Sequence, residues 1–327
     1  MEESRAVVRT EIINFLLEQQ NKDGSWGFSP GKAGVIEPTA YALMSLASED
    51  RGREAVERGL VFLRRTQTAR GAWAVSTQDS EEAPWATALA GLALINFRGN
   101  QEVCLSAAEF ILDSFGRMPR HWVLQAADWM RSLDASYVEE NLRGWKWSPD
   151  TANWVEPTAY AVLYLKSFMQ SSAGTHVAGV LARARNALRN TRMREVLTEA
   201  ESLLSRRMCK EGGWNYGNSS VLGIDLRPYP LTTALVLIAL QGPCSNQECH
   251  KSLMYLREVV LAERSALALC LVALCFDLYR LKTEPLIQTL ADLYEETQFF
   301  QNIKTSALAL LVMQSVKGQN VFLLRNS

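Results

Sequence analysis

Two kinds of apolar segment alternate along this chain. The first kind is apolar nearly all round and carries a small-residue pair near its start. Six such segments contain Thr39-Ala40, Thr87-Ala88, Thr158-Ala159, Thr233-Ala234, Ser265-Ala266 and Ser306-Ala307. A helix that is apolar on every face is one buried on every side. The second kind places apolar residues at helical spacing among mixed charges, as in Ser4 to Gln20, Arg53 to Gln67, Thr191 to Arg207 and Pro285 to Gln298. Alternation of buried and half-exposed helices predicts helical hairpins in two concentric layers, an all-α, α/α toroid. The small pairs let the inner helices crowd around a centre. No useful stretch alternates with a period of two, so no sheet is predicted.

The copies are unevenly spaced. The gaps from Ala88 to Thr158 and from Ala159 to Thr233 hold extra helical material, Arg120 to Leu133 and His176 to Asn190. The reading is six hairpins in one domain over residues 1–327, or seven if Ala107 to Leu133 forms a hairpin without the signature.

Several inner segments follow a Gly-Trp turn. Gln20, Gly24 and Trp26 have the same spacing as Gln67, Gly71 and Trp73. Met208 to Trp214 keeps the Gly and Trp without the Gln, and Gly144-Trp145-Lys146-Trp147 is a shifted or degenerate copy. Gly ends the outer helix by accepting a left-handed conformation, Trp packs over the turn, and Gln can bond unpaired backbone groups at the helix end.

Composition removes some function classes. A formal net charge of -1 gives no bulk attraction for nucleic acid or an anionic membrane. Charged residues interrupt every apolar run before Ile13, which predicts no signal peptide, and the apolar run Ala266 to Phe276 is too short to span a bilayer. Six cysteines without an export signal read as reduced thiols in a cytoplasmic protein, with Cys104, Cys270 and Cys275 as small core residues.

The Gln–Trp turns and the Thr-Ala helices together resemble the glutamine–tryptophan repeat of squalene-hopene and oxidosqualene cyclases, whose toroid superfamily includes the protein prenyltransferase β-subunits. The resemblance runs from about Glu11 to Lys317 and is to a single toroid, about half of a two-domain triterpene cyclase. It implies a central cavity for an isoprenoid or other apolar substrate. Class II cyclases protonate an alkene or epoxide with an Asp-x-Asp-Asp motif directly before a Thr-Ala pair, and this chain does not reproduce it. Aligned on Thr-Ala, Glu37 and Glu156 fall where the family's central, proton-donating Asp stands. Carboxyls from two hairpins facing one apolar space would form an acid or acid–base device. Glu-Pro is also ordinary at a helix start, with proline first and the acid favoured by the helix dipole. Asp79, Glu81, Glu82 and Asp225 are alternative acids in loops.

The prenyltransferase resemblance would imply a zinc ion and a separate α-subunit. Cys244, Cys249, His250 and Cys209 match that zinc set poorly, and His121 and His176 are the remaining histidines. No Asp-rich magnesium segment, Walker loop, nucleophile elbow or dinucleotide turn occurs, and no cofactor or metal is predicted. Trp26, Trp73 and Trp214 read as packing residues. Trp85 and Trp154, just ahead of inner helices, and Tyr41 and Tyr160, just past the pair, are the candidate cavity residues. Aromatic faces there could stabilise carbocations.

Three functions remain open: an acid-initiated cyclase or isomerase, a lipid- or prenyl-binding carrier with the same pocket, and an interaction toroid whose centre is packed solid. Peripheral membrane contact fits lipid substrates, and the apolar tip Val321 to Leu324 lies between Lys317 and Arg325, though four residues do not make an amphipathic anchor.

Overall fold

The computed structural model describes residues 2–116, 142–148, 151–171, 180–241 and 247–324, without the side chains of 2–4 and 180–185. His121, His176, Cys244 and the Arg120 to Leu133 insertion lie outside these residues, and so does the question of a seventh hairpin.

The inner helices are α2 (Ile36–Leu46), α4 (Pro84–Leu94), α6 (Val155–Gln170), α8 (Pro230–Ala239), α10 (Ala266–Leu278) and α12 (Ile303–Ser315). Each packs on its two neighbours in chain order, and α12 packs back on α2, so the ring closes. Every residue of α2 and α4 is buried. The outer helices are α1 (Glu2–Glu18), α3 (Arg53–Thr66), α5 (Gln101–Ser114), α7 (Val180–Arg206), α9 (Gln247–Val259) and α11 (Glu284–Thr297). Each inner helix packs on the outer helix that follows it, and α12 completes the series on α1. In α3 the buried face is Ala55, Val56, Gly59, Leu60, Phe62 and Leu63, and the charges face out, as the periodicity requires. A two-residue hairpin, β1 (Ser220–Val221) with β2 (Ile224–Asp225), stands exposed on the loop ahead of α8.

The repeat signature has a specific mechanical role. The hydroxyls of Thr39, Thr87, Thr158 and Thr233 accept the backbone N–H of Trp26, Trp73, Trp145 and Trp214 at 2.9–3.0 Å. Each indole N–H in turn donates to a carbonyl of the preceding outer helix, at Leu16, Leu63, Ile111 and Leu204. The degenerate copy is thereby resolved: Trp145, not Trp147, is its turn residue. Gln20 donates to the Gly24 carbonyl and also to Ala55 of the next outer helix, and Gln67 bonds Gly71 and Val103 in the same way. The glutamine therefore joins neighbouring hairpins rather than only finishing its own helix. Gly24 and Gly71 have φ of +92° and +82°, and a Cβ there would stand 2.3 Å and 2.4 Å from the carbonyls of Arg58 and Ser106. Only glycine meets both demands at once.

Two expectations about register change. Thr39, Thr87, Thr158, Thr233 and Ser306 are each the fourth residue of their helix, whereas Ser265 precedes α10 and caps it, accepting from the Ala268 N–H. The Ser265 pair is one turn early. Pro38 and Pro157 are the third residues of α2 and α6; proline takes the first position in α4 and α8 instead. Cys249 is disulfide-bonded, while Cys104, Cys209, Cys270 and Cys275 are free. The reading of all six cysteines as reduced thiols is corrected at this position. Among the described residues no helix is long and apolar enough to cross a membrane.

Candidate functional site

The inner helices present their second, sixth and ninth residues to the ring axis, the i, i+4, i+7 stripe of one helix face. These positions stack in layers. The sixth-residue layer includes Tyr41, Leu89, Tyr160, Leu235 and Leu271, and the ninth-residue layer includes Leu92, Leu163 and Ile238. Leu271 belongs to this layer only if α10 is counted from its own helix start, which confirms that Ser265 is out of register. The second-residue layer holds the chemistry, because it contains Glu37, Trp85, Glu156, Leu231 and Lys304.

Glu37 and Lys304 form an ion pair of 2.6 Å, with side chains only 11% and 15% exposed. Lys304 Nζ also stands 5.9 Å from the centre of the Tyr41 ring. Glu156 is buried too, but its bonded partner is a neutral hydroxyl: Thr232 donates to it at 2.9 Å. Burial raises the Glu156 carboxyl above its ordinary value of 4.5, Thr232 and Lys304 pull it down, and Glu37 pushes it up. The charge of Glu37 acts on Glu156, and the charges of both glutamates act on Tyr160. One step further in, the hydroxyls of Tyr41 and Tyr160 meet at 3.3 Å. Burial holds both phenols well above 10.0, so both keep their protons. Beneath them the axis is closed. The space bounded by these tyrosines and the leucines offers about 0 Å³ to a water-sized sphere.

The predicted aromatic residues separate. Trp85 lies in the second-residue layer, edge-on to Trp147 with ring centres 5.2 Å apart. Trp154 immediately precedes α6, half-buried against Gly217, and its carbonyl accepts the Thr158 hydroxyl at 2.7 Å. Tyr216 feels the charge of Glu156 and packs 5.0 Å from Tyr229 at the open side of this layer. The loop acids lie elsewhere: Asp79 is tied to Ser76, Glu82 to Thr68 and Arg70, and Asp225 to Lys210. His250 is exposed on α9.

Sequence reasoning missed Lys304. The signal was present, since Lys304 stands two residues before Ser306 as Glu37 stands two before Thr39. A search for acids ahead of Thr-Ala pairs passes over a base ahead of a Ser-Ala pair.

No protein-family model matches the chain. A stretch of 85 residues is 36% identical to protostadienol synthase A of Arthroderma gypseum; it takes in 22% of this chain and only 12% of that synthase. Among solved structures, the apo type II terpene cyclase MstE of Scytonema superposes with a TM-score of 0.58 at 14% identity, covering 98% of this chain and 99% of the cyclase. A protein from Actinoplanes gives 0.58 at 15% identity over 96% and 99% of the two chains. A protein described as a novel alpha-amylase from Clostridium perfringens gives 0.59 at 10% identity over 95% and 97%. The chain therefore has the terpenoid-cyclase-like toroid fold. The presence of an alpha-amylase in this set means that the fold alone does not choose a chemistry.

Proposed function

We propose that this toroid acts on an isoprenoid or comparably apolar chain that reaches the ring axis, and that Glu156 is its general acid. The observation that carries this reading is the unequal treatment of two carboxyls in one buried layer. Glu37 has a lysine for counter-ion, whereas Glu156 is bonded by a hydroxyl and is pushed toward its neutral form. A neutral buried carboxylic acid is a proton donor in waiting. Its proton would pass to an alkene carbon, the π electrons forming the new C–H bond and leaving a carbocation on the adjacent carbon. Loss of a proton from a neighbouring carbon to the Glu156 carboxylate restores the acid and completes an isomerisation; attack by a second alkene before that loss gives a ring. Tyr216, which feels the charge of Glu156, offers an aromatic ring that suits a cationic intermediate, and Trp85 shares the second-residue layer with the acid. Lys304 and Glu37 keep a second charge on Glu156's side of the ring neutralised. Support for an acid here comes from the resemblance to class II cyclases, whose central Asp aligns with Glu156 and equally with Glu37, and the type II terpene cyclase among the structural neighbours supports the substrate class.

One observation favours a second reading, an interaction toroid without a ligand: the closed axis below Tyr41 and Tyr160. Incubation with uncharged and diphosphate isoprenoids, followed by product analysis of extracts, separates the two. A product made by the wild type and lost in Glu156→Gln, with Glu37→Gln less affected, supports the acid. A folded protein inert toward the whole panel points to the interaction toroid.

A further inference from the structure

The far end of the ring, opposite Glu156, is closed by a different part of the chain. After α12 the backbone turns at Gly318, with φ of +76°, and residues 319–324 run back across the ends of the inner helices. Asn320 donates to the Leu274 carbonyl at 3.1 Å and to Asp277 at 2.8 Å. Gln241, just after α8, holds the segment from both sides: its amide N–H donates to the Phe322 carbonyl at 2.7 Å and its side-chain oxygen accepts the Leu324 N–H at 3.1 Å. Phe322 is 5% exposed, and its ring reaches the axis beside Leu92 and Ile238. The apolar tip is therefore folded inward at Phe322 and Leu324, with Leu323 alone facing out.

Phe322 and Leu92 also form one wall of an open cleft of about 370 Å³, whose other walls include Met44, Phe97 and Ser171. Phe322 and Leu92 thus stand between the axis and a cleft with ample room to receive a phenyl ring. The segment belongs to no helix of the ring, and polar side chains hold it by bonds that water can replace. We propose that residues 319–324 are a removable plug latched by Gln241, and that displacing Phe322 into the cleft opens the axis to an apolar chain from the end opposite the acid. The ligand class in this statement rests on the function proposed above; the plug itself does not. An axis with no room for a water molecule and a buried acid above it are then properties of the latched state, and ligand affinity is reduced by the fraction of molecules that remain latched.

The test compares the wild type with Gln241→Ala, Asn320→Ala and a chain ending at residue 318, using xenon and farnesol as probes. Gln241→Ala is the deciding variant because it removes two of the bonds that hold the segment without deleting any axis-lining side chain. Asn320→Ala serves if either of the others fails to fold. The expected result is a xenon shift by NMR that is stronger in the unlatched variants, and farnesol affinity or association rate raised tenfold or more. Stronger xenon uptake without farnesol binding supports the plug and overturns the isoprenoid reading. Unchanged xenon uptake and farnesol binding in folded, unlatched variants overturns the plug, whether or not the wild type binds farnesol.

Discussion

The two ends of the ring are built on different principles. At the end where the inner helices begin, a repeated device does the joining: a threonine holds a tryptophan turn, the tryptophan holds the outer helix, and at Gln20 and Gln67 the glutamine reaches to the next hairpin. The same end is linked around its rim, where the N–H groups of Ile36, Val155 and Ile303 bond the carbonyls of Val75, Tyr216 and Phe28 in the adjoining turn. The last of these joins α12 to the first turn and closes the circle. The far end, among the described residues, has no counterpart of this threonine–tryptophan–glutamine device. That end is sealed by Phe322 from a segment that occurs once, held by Gln241 and Asn320. A rim made rigid by repetition can hold two carboxyls and a lysine in fixed register, which a proton-transfer site requires. An end closed by a single strap is the one that can open without dismantling the ring.

This contrast can be broken most severely at the repeated end. Trp73→Ala removes a fully buried indole together with its bond to Leu63, and should cost about 4 kcal/mol of unfolding free energy in urea titration. A loss near 1 kcal/mol would mean that the turn tryptophans do not bear the hairpin packing. Next in size is the ion pair. Lys304→Met strands the Glu37 carboxylate in a buried layer and should cost about 3 kcal/mol, while the double variant with Glu37→Leu should recover most of that loss. Additive losses in the double variant would show that the two side chains are not coupled.

Much of the repeated end was legible in the sequence, because repetition is itself a sequence signal. Thr-Ala at a recurring place in the inner helices, Gly before Trp, and the charge-bearing faces of the outer helices each follow from local chemistry that recurs along the chain. The equal register of Glu37 and Glu156, each the second residue of an inner helix, also followed from their spacing ahead of Thr-Ala. What was not legible depended on tertiary placement. Ser265 imitates the Thr-Ala pair but lies one turn early, and only the helix start reveals it. The layer of Lys304 had a sequence signal, but its pairing with Glu37 crosses the join between α12 and α2 and has no local trace. Phe322 lies in a short apolar tip that composition cannot distinguish from an exposed one. Its burial comes from Gln241, about eighty positions earlier in the chain.

The central claim is that Glu156 holds its proton to higher pH than an ordinary carboxyl, where Glu37 has a counter-ion. The raised carboxyl implies a sign for stability: Glu156 contributes fully below its unfolded value of 4.5, and that contribution is lost as pH rises through its higher folded value. The direct measurement is a carboxyl-carbon NMR titration of protein carrying ¹³C-labelled glutamate, with Glu156→Gln used to assign the resonance. The account predicts a glutamate resonance that titrates above 4.5 and disappears in Glu156→Gln, together with a shallower loss of stability with rising pH in that variant. A Glu156 resonance that titrates at or below 4.5 would contradict the account, because an ionised carboxylate at this position has no proton to give.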